Sequence, residues 1–214
     1  MTIADYFLFA FPGIFVILNP LGAAATFLSL TEGRSADQQR LIAKRACITS
    51  FFILLVFMLL GHLIFALFNI TIGAFRIAGG LLLYTVGWQM LQAYPIRLKS
   101  TKAEMAEGMQ KEDIAILPLA MPLLAGPGAI TTVLVLTSEA KHFWQVLILI
   151  GCVAVALVAT YFILVHSTKL LDFLKVTGTR IMNRLLGLIL VVVAVQFIIN
   201  GVKDILPEIV RLLK

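Results

Sequence analysis

Charged residues are missing from most of this sequence. They make up only 13% of its 214 residues, whereas a soluble domain of this length carries about 25%. The six longest stretches without Asp, Glu, Lys or Arg cover residues 6–31, 46–75, 77–96, 114–138, 142–168 and 185–202. Each stretch meets or approaches the roughly 20 residues that an α-helix needs to cross a bilayer. The sequence therefore predicts an all-α integral membrane protein with six spans, because a large soluble helical core would need charged helix faces.

The predicted spans contain few residues that could form a catalytic or metal site. The chain has two cysteines, Cys47 and Cys152, both within predicted spans, so we expect neither a disulfide nor a metal cluster. No Asp or Glu lies within a predicted span, which excludes the usual acidic proton relay. The sequence contains no HExxH, GxSxG or P-loop motif. We therefore expect no enzyme activity and no cofactor.

Basic residues give the chain a net charge of +6, and their distribution predicts its orientation in the membrane. Twelve of the 17 lie in the first, third and fifth connections: Arg34, Arg40, Lys44, Arg45, Arg97, Lys99, Lys102, Lys111, Lys169, Lys175, Arg180 and Arg184. The opposite side has five: Arg76, Lys141, Lys203, Arg211 and Lys214. By the positive-inside rule, the odd connections are cytoplasmic and both termini lie outside. The charge therefore indicates a bilayer partner rather than nucleic acid, and Arg76, near a span end, is expected to extend to water.

Two segments of the sequence recur about half a chain apart. Residues 22–31 and 128–137 are identical at six of ten positions, and residues 80–89 and 187–196 at five. We therefore predict a single transmembrane domain over 1–214, in which a first repeat (about 1–96), a cytoplasmic linker (about 97–113) and a second repeat (about 114–214) follow one another. Since three spans are an odd number, the second repeat would be inverted relative to the first, as in many transporters.

Pro and Gly interrupt the first span of each repeat. The interruptions are Asn19-Pro20-Leu21-Gly22 and Gly126-Pro127-Gly128. Pro has no N–H and clashes with the preceding helical turn, while Gly tolerates an open backbone. In hydrocarbon, the freed N–H and C=O groups must be received by protein or by a wet cavity. The first and fourth spans are therefore predicted to be broken helices, and the two breaks are predicted to meet near the membrane centre.

Two helix N-termini at such a centre suit a small zwitterion. Free N–H groups and the helix dipole favour a carboxylate, and freed carbonyl oxygens favour an ammonium group or Na⁺. The predicted substrate-binding residues are Asn19, Pro20, Leu21, Gly22, Ala23, Thr26, Gly126, Pro127, Gly128, Ala129, Thr131 and Thr132. Either Na⁺ or H⁺ is open as a coupling ion, and H⁺ would need His62 or a proton on the substrate. The other interpretation is that these motifs only kink and pack the helices.

Four motifs spread over nearly the whole chain also resemble those of a known family. They are Asn19-Pro20-x-Gly22, FRIAGG (75–80), PLAMPLLAGPGAI (118–130) and QFIING (196–201). Together they resemble the MarC family of bacterial inner-membrane proteins, also classified as a small neutral amino acid transporter family. The resemblance implies six spans, an inner-membrane location and, for some members, transport of glycine, alanine and similar amino acids. We therefore expect a secondary transporter that works by alternating access. The alternatives are a channel or exporter for another small solute, or a non-transporting scaffold protein.

Overall fold

The computed structural model describes residues 3–92, 115–140 and 142–212, and its regular structure in these ranges is helical throughout. The helices are α1 (Ile3–Leu18), α2 (Pro20–Leu30), α3 (Ala36–Leu67), α4 (Ile72–Leu91), a π-helix (Ala115–Leu124), α5 (Pro127–Glu139), α6 (Phe143–Val165) and α7 (Ser167–Leu212). The all-α prediction is confirmed for these residues. The predicted linker at 97–113 lies outside the described residues.

Four helical stretches in the described part of the chain are long and apolar enough to cross a membrane, judged by length and composition. They are Asp5–Leu30, Ala36–Gly61, Phe143–Val165 and Thr177–Pro207. Large apolar side chains on these stretches face outward: Phe52, Val158 and Phe162 are each more than half exposed. Such extensive exposed apolar surface is typical of helices that contact lipid. The prediction of a multi-pass membrane protein is supported, although the predicted spans at 77–96 and 114–138 are not among the four stretches.

Side-chain caps fix where several helices begin. At the start of α3, Gln38 N–H donates to Ser35 Oγ at 3.3 Å and Ser35 N–H donates to Gln38 Oε1 at 3.0 Å. This reciprocal pair is a capping box, which satisfies two N–H groups that a helix cannot bond internally. At the start of α4, Ala74 N–H donates to Thr71 Oγ1 at 3.2 Å. Helix α7 is kinked at Lys175, where the backbone is not helical, with φ 54° and ψ 176°.

Small residues allow α4 and α7 to pack closely. Gly73 of α4 lies against Gly201 of α7, Gly80 against Ala194, and Gly87 against Gly187. Both sets recur every seven residues, and they run in opposite directions along the two helices. A Cβ atom on Gly80 would lie only 2.7 Å from the Ala194 carbonyl oxygen. Membrane helices commonly use small residues for such close approach of their backbones.

Helix α5 lies at the centre of the protein. Its buried residues are Gly128, Ala129, Thr131, Thr132, Val133, Leu134, Val135 and Leu136, so it is covered on all sides over most of its length. It packs against α1, α3, α4 and α6. A helix that is apolar all round is suited to such a position. The interruption between the π-helix and α5 is therefore also in the protein interior.

Candidate substrate site at two helix breaks

The first predicted break is confirmed at Asn19. Helix α1 ends at Leu18 and α2 begins at Pro20, while Asn19 between them adopts a left-handed conformation with φ 44° and ψ 61°. Asn is one of the few residues that tolerate this conformation, and a Pro at the first helical position loses no hydrogen bond. Asn19 Oδ1 accepts from Gly22 N–H at 3.2 Å, and the Asn19 carbonyl accepts from Ala23 N–H at 2.9 Å. The side-chain oxygen of Asn19, one of the predicted substrate-binding residues, thus serves as the cap of α2.

The second predicted break is confirmed at Ala125 and Gly126. The π-helix ends at Leu124 and α5 begins at Pro127. Ala125 N–H donates to Ala120 O at 2.8 Å, a bond that spans five residues as in a π-helix. Ile130 N–H donates to Gly126 O at 3.0 Å, and no side chain caps the start of α5. The two breaks therefore differ, because α2 carries its own cap and α5 does not.

The end of α1 and the start of α5 are in contact. A Cβ atom on Gly128 would lie 3.0 Å from Ile17 Cδ1 and 3.1 Å from Leu83 Cδ2. Ile17 precedes Asn19 by two residues, so the contact brings the second break beside the first. Asn19 itself is only 9% exposed. The breaks are thus buried neighbours, and the absence of a side chain at Gly128 makes their approach possible.

Two threonines at equivalent positions after the breaks bond to their own helices. Thr26 Oγ1 donates to Gly22 O at 3.2 Å, and Thr132 Oγ1 donates to Gly128 O at 2.9 Å. The Thr131 methyl group packs over Gly79 of α4, where any Cβ atom would overlap it. Nine predicted site residues are buried: Asn19, Pro20, Gly22, Ala23, Gly126, Gly128, Ala129, Thr131 and Thr132. Leu21 and Thr26 are half-buried and Pro127 is exposed. Ligand binding by these residues stays a prediction.

An ion cluster that the sequence did not predict lies at the far end of α5. Arg76 Nη2 lies 2.6 Å from Glu139 Oε1, and Arg76 Nη1 also pairs with Asp204 Oδ2. The Arg76 side chain is only 13% exposed, so the expectation that it extends to water is wrong. The pKa of the Glu139 carboxyl is raised above its usual value, because the effect of burial outweighs the opposing effect of the Arg76 charge. One signal was present in the sequence. Glu139 and Asp204 lie just beyond charge-free stretches, on the same predicted side of the membrane as Arg76.

Comparison with known proteins places this chain among membrane proteins. Residues 4–206 match the family described as MarC family integral membrane protein. The chain is 39% identical over 199 residues to UPF0056 membrane protein MJ1677 of Methanocaldococcus jannaschii, which covers 93% of this chain and 97% of that protein. It is 38% identical over 208 residues to UPF0056 membrane protein YvbG of Bacillus subtilis, with 95% and 97% covered. UPF0056 membrane protein YhcE of Escherichia coli is 35% identical over 205 residues, with 94% of each chain covered. No solved structure matches the chain.

Proposed function

Because the chain belongs to the MarC family of integral membrane proteins, we propose that it is a secondary transporter of small neutral amino acids such as glycine and alanine. The observation that carries the proposal is the pair of helix breaks, at Asn19 and at Gly126, that lie side by side in the buried interior. Broken helices that meet at the midplane form the substrate sites of many secondary transporters. The proposed location is the bacterial inner membrane.

The contact between α4 and α7 supports an inverted repeat. At the offset of 107 found in the sequence, Gly80 corresponds to Gly187 and Gly87 corresponds to Ala194. Exchanging the two halves therefore turns the contact between Gly80 and Ala194 into the contact between Gly187 and Gly87. A two-fold axis in the membrane plane would produce this exchange. We propose on this basis six spans, arranged as two inverted halves of three spans each.

The start of α5 is the proposed site for the substrate carboxylate. It has no side-chain cap, so the first N–H groups after Pro127 and the positive end of the helix dipole suit an anionic group. The end of α1 lies beside it, as the contact between Ile17 and Gly128 requires. A helix C-terminus presents carbonyl oxygens and a partial negative charge, which suit the substrate ammonium group. Ala23 and Ala129 closely follow the two breaks, and their small side chains favour a small substrate.

The ion cluster of Arg76, Glu139 and Asp204 is the proposed outer closure. It ties the end of α5 to α4 and α7, since the three side chains come from these three helices. These residues adjoin connections that the positive-inside rule assigns to the outer side, in agreement with periplasmic N- and C-termini. Alternating access requires two conformations that differ in which side is open. Opening the outer side would separate Arg76 from at least one of its two carboxylates.

Coupling to an ion gradient is part of the proposal, with Na⁺ and H⁺ both open. Na⁺ accepts neutral oxygen ligands, such as the carbonyl groups freed at the two breaks. Proton coupling would instead use His62 or a proton carried by the substrate. Uptake measured under separate Na⁺ and pH gradients distinguishes the two ions. Loss of pH-driven uptake in His62→Ala would identify that histidine as the proton carrier.

Binding of labelled glycine and alanine to the purified protein tests the proposed site. In Gly128→Val the added methyl groups would intrude between Ile17 and Leu83 and disturb the start of α5. Loss of one charge-assisted hydrogen bond costs about 1.5–3 kcal/mol, which is roughly a ten- to hundredfold loss of affinity. The control is Gly151→Val on α6, where a Cβ atom meets nothing within 4 Å. We expect normal binding by this control.

Alanine methyl ester tests the carboxylate contact in the unmutated protein. The ester keeps the ammonium group and the side chain but has no negative charge. We expect it to compete poorly with labelled alanine. Competition as strong as that of free alanine would show that the start of α5 does not bind a carboxylate. Normal transport by Gly128→Val would indicate that the Pro and Gly motifs only kink and pack the helices.

A further inference from the structure

A groove of about 630 Å³ lies between α3 and α6, away from the two helix breaks. Its walls are residues of α3 between Lys44 and Phe52 and residues of α6 between Ala154 and Tyr161. The volume is within the range of roughly 300–1,000 Å³ that is usual for ligand pockets. Ile48, Phe52 and Val158 are 46%, 58% and 55% exposed, so the groove is open along one side. In a membrane, that side faces lipid.

Helical spacing makes the groove long and narrow. On α3, Lys44, Ile48, Phe51 and Phe52 follow one another at intervals that place them on one face of the helix. The distance along the axis from Lys44 to Phe52 is about 12 Å at 1.5 Å per residue. One leaflet of the hydrocarbon core is about 15 Å thick, half of the total of about 30 Å. The groove is therefore long enough for most of one acyl chain, beginning at the end next to the headgroup.

Lys44 places a positive charge at one end of this apolar groove. After Arg45 the chain carries no charged residue until Arg76, so Lys44 lies where hydrocarbon gives way to polar headgroups. The residues that line the groove include no Asp or Glu. Asp37, the acidic residue at the start of α3, pairs instead with Arg40 at 3.8 Å. The groove thus combines an apolar channel with a cationic end.

We propose that this groove binds one anionic phospholipid, with an acyl chain between α3 and α6 and its phosphate at Lys44. The apolar walls suit the chain, and the ammonium group suits the phosphate. A second copy of this protein fits the charge less well. A two-fold axis through the groove, normal to the membrane, would bring two Lys44 side chains toward each other, and like charges oppose association.

Native mass spectrometry of the full chain in detergent tests the proposal with two lipids of identical chains. Dioleoyl phosphatidylglycerol carries a net negative charge, and dioleoyl phosphatidylcholine carries none. One lysine near an anionic headgroup contributes about a fivefold preference. We expect this preference in the unmutated protein and its loss in Lys44→Gln. The control Lys169→Gln removes an exposed lysine outside the groove and should keep the preference.

Val158→Trp tests whether the lipid occupies the groove itself. The larger side chain would fill the space opposite α3, so both lipids should bind several-fold more weakly. Equal affinity of the unmutated protein for the two lipids would overturn the proposal. So would an equal loss of preference in Lys44→Gln and Lys169→Gln. A dimer that binds no lipid and dissociates in Val158→Trp would assign the groove to a second copy of the chain instead.

Discussion

Replacement of Gly80 by Ala tests the close packing of α4 against α7. The added Cβ atom would lie 2.7 Å from Ala194 O, 2.7 Å from Ile198 Cγ1 and 3.2 Å from Ile198 N. Two of these three atoms belong to the backbone of α7, which cannot rotate away as a side chain can. The two helices must therefore separate or slide, and neighbouring glycine contacts would be strained as well.

The expected cost follows from two opposing effects. Overpacking of a tight interior costs about 1–3 kcal/mol, and the higher helix propensity of Ala returns up to about 1 kcal/mol. The net prediction for Gly80→Ala is a loss of about 1–2 kcal/mol in the free energy of unfolding. The matched control is Gly151→Ala on α6, since a Cβ atom there meets nothing within 4 Å. It should be neutral or more stable by up to about 1 kcal/mol.

Helix content followed during denaturant titration in mixed micelles would measure both variants. The prediction is that Gly80→Ala unfolds at a lower denaturant concentration than the unmutated protein and Gly151→Ala does not. If Gly80→Ala is as stable as Gly151→Ala, the α4 and α7 backbones are not in close contact at Gly80. The proposed inverted halves would then lose the contacts between α4 and α7 that support them.

Three further predictions concern the first break, the ion cluster and the orientation. Asn19→Ala loses the cap on Gly22 N–H and the tolerance of positive φ, so it should destabilise the protein by about 1–2 kcal/mol in the same titration, whereas Asn19→Gly should cost only a few tenths. Arg76→Gln breaks two partly exposed ion pairs and should cost about 1–3 kcal/mol; a cost of zero would remove the cluster as a closure. A fluorescent reporter active only in the cytoplasm should stay dark when fused after Lys214, and bright cells would reverse the orientation.

The two helix breaks could be predicted from the sequence because their causes are local. Pro20 and Pro127 lack the N–H that a continuous helix needs, and Asn19 and Gly126 stand directly before them as residues that end the preceding helix easily; Pro12, which lacks such a neighbour, lies inside α1. The left-handed conformation of Asn19 could not be predicted, because the same residues are compatible with other backbone conformations at this position. The kink at Lys175 has no such signal, since neither Gly nor Pro occupies that position.

Contacts between distant parts of the chain could not be predicted in the same way. Arg76 is 63 residues from Glu139 and 128 residues from Asp204, so their pairing depends on how α4, α5 and α7 assemble. The π-helix Ala115–Leu124 was also missed, because an apolar segment has the same composition whether its turns are α or π. The groove at Lys44 is a third case, since its two walls come from helices about 100 residues apart.

Uptake of labelled glycine into proteoliposomes shows whether this protein transports small neutral amino acids. We expect saturable uptake driven by an imposed Na⁺ or pH gradient, competition by unlabelled alanine, and loss of uptake in Gly128→Val but not in Gly151→Val. Flux that rises linearly with concentration would indicate a channel. Folded protein that moves neither glycine nor alanine faster than protein-free liposomes would contradict amino acid transport, and the absence of flux for other small solutes would leave the scaffold interpretation.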